Sequence, residues 1–215
     1  MNPRNLPVNW FDLVVLITLV VGAVVGRKRG MSEELLDLFQ WLAMVVVSAM
    51  YYEPLGRFIA GYTQLSVLVA YIVTYLFLVL AIRLMFGWIK RMVGEKLVAS
   101  DLFGRLEYYL GMCAGALRFT CILVVLLAIL NARFISPEQL TTDAKMQRDN
   151  FGSISFPTLG MLQQSVFKES SSGQFVKKFL NDQLIASTGA DQQIVYREGV
   201  GKTRERAVDE VLEKK

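Results

Sequence analysis

Residues 65–88 read LSVLVAYIVTYLFLVLAIRLMFGW, and this stretch decides the fold because it holds a single charged side chain, Arg83. As an α-helix it is about 36 Å long, enough to cross a hydrocarbon core about 30 Å thick. Arg83 lies close enough to the end of the stretch to snorkel toward the interface. The stretch therefore predicts a membrane-spanning helix.

Three further apolar blocks precede residue 132, at residues 10–26, 35–52 and 108–131. The block at 35–52 is the weakest, because Asp37 and Gln40 shorten its fully apolar part, and a re-entrant or interfacial segment is the alternative. We expect an all-α membrane protein with about four transmembrane helices. A short amphipathic, partly disordered tail at residues 132–215 follows them.

The segments between the blocks carry turn and polar patterns. Glu53, Pro54 and Gly56 predict a turn after the second block. Residues 90–107 predict a polar, amphipathic connector between the third and fourth blocks. In the tail, apolar residues recur at helical spacing on both sides of a flexible joint at 170–173, which predicts short helices lying on the membrane surface or on the spanning helices. Residues 203–215 suit either a solvated helix or disorder.

Basic residues around the blocks predict the topology. Arg27, Lys28 and Arg29 follow the first block, which is the reverse of a signal peptide's charge order, so we expect a retained helix. The connector at 90–107 is also basic, whereas the N-terminus and the loop after the second block carry one arginine each. Because positive loops stay in the cytoplasm, both termini are predicted to be extracytoplasmic.

The composition argues against catalysis, metals and nucleic acid. The sequence has no histidine, which removes the commonest general base and metal ligand. Cys113 and Cys121 are about 12 Å apart on one helix and read as core residues. The net charge of +4 is spread around apolar segments rather than gathered on a polar domain. We therefore expect no cofactor, no metal and no nucleic-acid partner.

A short segment near the C-terminus partly matches a nucleotide-binding motif. Residues 199–203 read GVGKT, like the end of a phosphate-binding loop. Tyr196 stands where the leading glycine belongs, and too few residues follow to complete a nucleotide-binding sheet. We reject this reading.

A spacing of the form G-x-x-x-G-x-x-R occurs twice, at Gly22, Gly26 and Arg29 and again at Gly111, Gly115 and Arg118. Glycines four apart share a helix face and allow another helix to approach closely, so packing is the plain interpretation. Self-association through these faces is equally open.

Arg118 carries the functional interpretation. It lies about 15 Å into its helix, near the middle of a bilayer, where an unpartnered arginine is costly. We expect an acidic partner near the cytoplasmic ends of neighbouring helices, first Asp37 and then Glu33 or Glu34. Snorkelling toward the cytoplasmic interface is the alternative.

Residues 10–131 resemble the colicin V production family of bacterial inner-membrane proteins. The features that carry the resemblance are Asp12, Gly22, Gly26, Arg29-Gly30, Glu33 or Glu34, Trp41, Tyr51-Tyr52, Leu110-Gly111 and Gly115-Ala116-Leu117-Arg118. Phe119 and Glu107 depart from the family pattern, which usually has glycine and aspartate there. The intramembrane polar residues with candidate functional roles are then Arg118, Asp37, Glu33, Glu34, Arg29 and Asp12.

The resemblance implies a four-helix inner-membrane protein needed for colicin V production or export and tied to envelope homeostasis. Some relatives carry an extracytoplasmic protease after the same helices, but no protease signature occurs in this tail. We expect a non-enzymatic protein that contacts the lipid bilayer and other membrane or envelope proteins. The alternative is a small oligomeric channel or transporter in which Arg118 lines the path. The two differ in whether Arg118 faces a water-accessible cavity or is sealed against Asp37.

Overall fold

The computed structural model describes residues 9–63, 65–98, 104–136 and 158–189. Four long helices come first, and each is long and apolar enough to cross a membrane: α1 (Trp10–Arg29), α2 (Met31–Tyr62), α3 (Val67–Val98) and α4 (Glu107–Asn131). The described residues contain no β-strand, only an isolated bridge between Arg133 and Thr188. The prediction of an all-α membrane protein with about four spanning helices is confirmed. The chain is a multi-pass membrane protein.

Local sequence explains both ends of α1. Asn9 and Asp12 form a capping box, in which each side chain accepts a hydrogen bond from backbone N–H groups of the first turn. At the other end Gly30 adopts a φ of 79°, which favours glycine, and its N–H donates to the Gly26 carbonyl. This single residue separates α1 from α2.

The prediction of a turn at Glu53, Pro54 and Gly56 is wrong, because α2 continues through Pro54 to Tyr62. A proline inside a helix removes one backbone hydrogen bond, a loss that packing against a neighbouring helix can offset. Here α3 packs on this segment. The rings of Tyr52 and Tyr71 meet edge to face at 5.5 Å, and Tyr71 also lies against Gly56.

Two further boundaries differ from expectation. α2 begins at Met31 and so includes Glu33 and Glu34 in its first turn. α3 continues to Val98, so the first half of the predicted connector is helical. A 3-10 turn, Gly104–Leu106, precedes α4. The partial match to a nucleotide-binding motif at 199–203 and the mixed-charge segment at 203–215 lie outside the described residues.

The helices form a row rather than a square. α4 packs against both α1 and α2, and α3 packs against α2. α1 and α3 run in one direction, whereas α2 and α4 run in the other. Arg29, the start of α2 and Lys90 therefore lie at one end of the row, which we call the basic end.

The described part of the tail packs against the opposite end. It consists of α5 (Leu159–Gln164), a π-helical turn (Ser165–Glu169), α6 (Ser171–Phe179) and a 3-10 turn (Asn181–Gln183). Its buried apolar side chains are Val166, Phe167, Leu184 and Ile185. Asn131 donates a hydrogen bond to the Ile185 carbonyl, and the Tyr52 hydroxyl accepts one from the Ala186 N–H. The tail helices thus lie on the spanning helices.

Candidate functional site

The four glycines of the repeated motif lie at the crossing of α1 and α4. A Cβ atom added to Gly22 would lie 2.8 Å from the Gly115 carbonyl oxygen. One added to Gly26 would lie 2.9 Å from the Gly115 Cα and closer still to the Gly111 carbonyl oxygen. Only residues without a side chain allow two backbones to approach this closely. Both glycine faces are therefore occupied within one chain.

This crossing sets the depth of Arg118. Because Gly22 faces Gly115 in antiparallel helices, the Arg118 Cα is level with about Leu19, halfway along α1. Side chains on a helix point toward its N-terminus, so the Arg118 guanidinium reaches back toward the basic end. The first two turns of α2 meet it there.

Arg118 contacts two acids of α2. Its Nη1 donates a hydrogen bond to Asp37 Oδ2 at 2.9 Å. The same nitrogen lies 2.8 Å from Glu34 Oε2, in an ion pair without hydrogen-bond geometry. Arg118 is 7% exposed and Glu34 is 0% exposed. The arginine is thus sealed against its acids, and the acids come from the set that the sequence predicts.

Two further basic side chains complete the cluster. Arg29 Nη1 lies 3.3 Å from Asp37 Oδ2 and 3.6 Å from Glu34 Oε1. Lys90 of α3 donates hydrogen bonds to Asp37 Oδ1 and to the Gln40 side-chain oxygen. The cluster therefore joins α1, α2, α3 and α4. We call Arg29, Glu34, Asp37, Lys90 and Arg118 the ion cluster.

The ion cluster has a definite energetic character. Taking a charged side chain to the centre of a spanning helix costs about 2.5–3.5 kcal/mol on insertion scales. Paired charges offset that cost, whereas removing one partner of a buried pair typically costs about 3–5 kcal/mol. Since no hydrogen bond from the described residues reaches the Glu34 oxygens, Glu34 depends on the positive charge of Arg118 and Arg29. The cluster favours one arrangement of the helices over slipped ones.

The remaining predicted site residues lie elsewhere. Glu33 is exposed, whereas its neighbour Glu34 is buried. Asp12 lies at the opposite end of the row from the ion cluster. Conversely, Lys90 belongs to the cluster and Gln40 accepts a hydrogen bond from it, although the sequence suggested only a topology signal and an interrupted apolar run. The available signal was that Asp37 and Gln40, three residues apart, share a helix face.

Asp12 fastens the tail to α1. Its Oδ1 accepts hydrogen bonds from the Ser170 hydroxyl and from the Ser172 N–H, each at 2.8 Å. Ser170 is fully buried and caps α6, with its hydroxyl accepting from the Gly173 N–H. The prediction of a flexible joint at 170–173 is therefore wrong, because the aspartate supplies the order that the local sequence lacks. Asp12 also has a negative charge at a helix N-terminus, which is favourable.

A polar cavity of about 300 Å³ opens beside the ion cluster, between α2 and α3. Its lining residues are Asp37, Gln40, Trp41, Arg83, Gly87 and Lys90. Arg118 is not among them. Asp37 and Lys90 are the members of the ion cluster that line the cavity. Arg118 lies behind Asp37, away from the cavity. Among the described residues, no group of three or more acidic or cysteine side chains is placed to hold a metal ion.

Comparisons with known proteins identify a matching family and a similar curated protein. The family model described as colicin V production protein matches residues 11–168. A colicin V production protein of Escherichia coli (strain K12) is 27% identical over 123 residues, which cover 57% of this chain and 74% of the relative. No solved structure matches the chain.

Proposed function

This chain belongs to the colicin V production protein family, and we propose that it is a non-enzymatic protein of the bacterial inner membrane. In this proposal it supports colicin production or export, or envelope homeostasis, through contacts with other membrane or envelope proteins. Family membership supports the link to toxin production. The absence of histidine from the sequence supports a role without catalysis.

The observation that carries the proposal is that Arg118 is buried and paired within the ion cluster. Arg118 is 7% exposed and contacts Glu34 and Asp37, and it does not line the adjacent cavity. A residue that guides a solute has to meet water or the solute, whereas a residue that locks helices together has to be shielded. The geometry suits a rigid membrane scaffold that presents surfaces to partners.

Basic residues near the short connections between helices support the predicted orientation. Arg27, Lys28, Arg29 and Lys90 lie at the basic end, and the described tail packs at the other end, where Asp12 holds it. Basic residues prefer the cytoplasmic side. With that orientation the tail and both termini are extracytoplasmic, and the tail is available to envelope partners.

Exposed apolar side chains supply candidate contact surfaces. Ile17 on α1, Phe77 on α3 and Phe179 on α6 are each more than half exposed. Lipid covers such surfaces when no partner is bound. A partner that spans or touches the membrane would replace that lipid.

A photo-crosslinking amino acid at each of these positions tests the proposal. The variants are produced in a strain that lacks the chain and shows a colicin-production or envelope defect. We expect each of these variants to rescue the defect. At one or more of the three exposed positions, the crosslinker should form a covalent link to one reproducible membrane or envelope protein. Ala128 is the matched control, because it is fully buried and should form crosslinks only within the chain.

The channel or transporter alternative predicts a different result. Purified chain in liposomes would then pass ions or small anions, and Arg118→Lys would alter the flux. Rescue without any captured partner, together with such flux, would contradict the scaffold proposal. Absence of flux together with a captured partner would support it.

A further inference from the structure

Arg83 is an intramembrane arginine that has no acidic partner among the described residues. It lies in the apolar part of α3, is exposed, and forms no ion pair or hydrogen bond with any residue that the structure describes. Arg118, the comparable arginine of α4, has two acids. A guanidinium within a spanning helix needs a partner or contact with the interface, and none of the described residues supplies Arg83 with an acid, so its guanidinium is open to a ligand.

The charges around the cavity also lack balance. Arg83 and Lys90 face it, with Asp37 as the one acid among its lining residues. Asp37 is already shared among Lys90, Arg118 and Arg29. The ion cluster and Arg83 together hold four basic and two acidic side chains, a formal excess of two positive charges. The excess favours an anion.

The cavity has room because of Gly87. A Cβ atom added to Gly87 would meet nothing within 4 Å, so the space between Arg83 and Lys90 is open rather than filled by a neighbour. A volume of about 300 Å³ is at the lower end of the range that small ligands occupy.

The surroundings indicate where the anion comes from. Leu42, Leu84 and Trp88, sequence neighbours of the lining residues, are exposed apolar side chains at the same level of α2 and α3. Lipid tails cover such a surface, and a headgroup attached to those tails would then lie beside the cavity. Basic pockets between spanning helices are a known kind of site for anionic lipids.

We propose that the cavity between α2 and α3 binds the phosphate headgroup of an anionic phospholipid, held by the Arg83 guanidinium and the Lys90 ammonium group. The Trp41 ring borders the cavity, where an amphipathic aromatic group suits the lipid interface. The single negative charge of the bound phosphodiester would offset one of the two excess positive charges at the basic end. The site is separate from the partner surfaces named above.

Lipid retention on the full chain tests this assignment. The chain is purified in detergent with phosphatidylglycerol or with phosphatidylcholine, and the lipid that remains bound is counted by native mass spectrometry. We expect phosphatidylglycerol to be retained and Arg83→Gln to lower its apparent affinity about tenfold or more. Gly87→Leu should have the same effect by filling the cavity, and the first atom of the new side chain meets no neighbour within 4 Å.

Matched controls separate the cavity from general surface charge. Lys28→Gln removes one exposed charge at the same end, and Gly87→Ala adds a methyl group that leaves the cavity open; both should retain the lipid within about twofold. Arg83→Lys should retain most of it. Equal retention of phosphatidylcholine, equal loss in Lys28→Gln, or unchanged retention in both Arg83→Gln and Gly87→Leu would overturn the proposal. Binding of inorganic phosphate in place of the lipid would also overturn it, by assigning the site to a free anion.

Discussion

The same substitution, glycine to alanine, should have opposite effects at Gly26 and Gly87. At Gly26 the new Cβ would lie 2.9 Å from the Gly111 carbonyl carbon and 2.9 Å from the Gly115 Cα. Carbon atoms in contact sit about 3.5–4.0 Å apart, so α1 and α4 have to separate by at least about 0.6 Å. At Gly87 the Cβ would meet nothing within 4 Å.

The expected magnitudes follow from these contacts. Overpacking costs about 1–3 kcal/mol, and a contact with backbone on both sides belongs at the upper end of that range. Because alanine favours a helix over glycine by about 1 kcal/mol, the substitution recovers that amount of unfolding free energy at either position. Gly26→Ala should therefore lose about 2 kcal/mol of unfolding free energy, whereas Gly87→Ala should gain up to about 1 kcal/mol. The difference, about 3 kcal/mol, is more than a hundredfold in the unfolding equilibrium constant.

Reversible unfolding in mixed detergent micelles measures both variants against the parent chain. Far-UV circular dichroism reports the helices, and the unfolding free energy is extrapolated to zero denaturing detergent. If Gly26→Ala proved as stable as Gly87→Ala, α1 and α4 would not cross at the glycines, and the depth assigned to Arg118 would fail with that crossing.

Three further predictions follow from the ion cluster, the tail and the charge pattern. Arg118→Leu should destabilise the chain by about 3–5 kcal/mol because it leaves the buried Glu34 with only the half-exposed Arg29 as a positive neighbour. Adding Glu34→Leu should recover part of the loss in the same unfolding assay. Glu33→Gln, at an exposed acid one residue away, should change stability little; a larger effect than that of Arg118→Leu would contradict the pairing. Asp12→Asn should loosen α6 and raise hydrogen exchange over residues 171–179, whereas the exposed Asp182→Asn should not, and equal exchange in both would remove the anchoring role of Asp12. Alkaline phosphatase fused to the C-terminus should be active and a fluorescent protein there dark, and the reverse pattern would place the tail in the cytoplasm.

Four spanning helices could be predicted from the sequence because apolar length is a local property. The hydrocarbon core demands about twenty apolar residues wherever they occur, and no partner has to be known. The end of α2 could not be predicted in this way. Pro54 and Gly56 are ordinary turn residues, yet the segment stays helical where Tyr71 of α3 packs against it.

Part of the candidate site followed from charge alone. An arginine inside a spanning helix needs an acid, and Asp37 and Glu34 were among the few acids within reach of Arg118. The role of Lys90 in the ion cluster was not predicted, because a basic residue near a helix end is already explained as a topology signal. The role of Asp12 escaped notice because its partner Ser170 is 158 residues away.

The sequence by itself determined the class of the protein, its four spanning helices, its family and the need for a partner at Arg118. Each of these depends on how single segments or single charges behave in lipid. The tertiary structure alone decided that the glycine faces meet each other within one chain, that Arg118 is sealed between two acids, and that Arg83 lies beside a cavity with no acidic partner among the described residues. These depend on which faces of distant helices meet, and a low-dielectric bilayer makes each such meeting of charges costly or favourable by several kcal/mol.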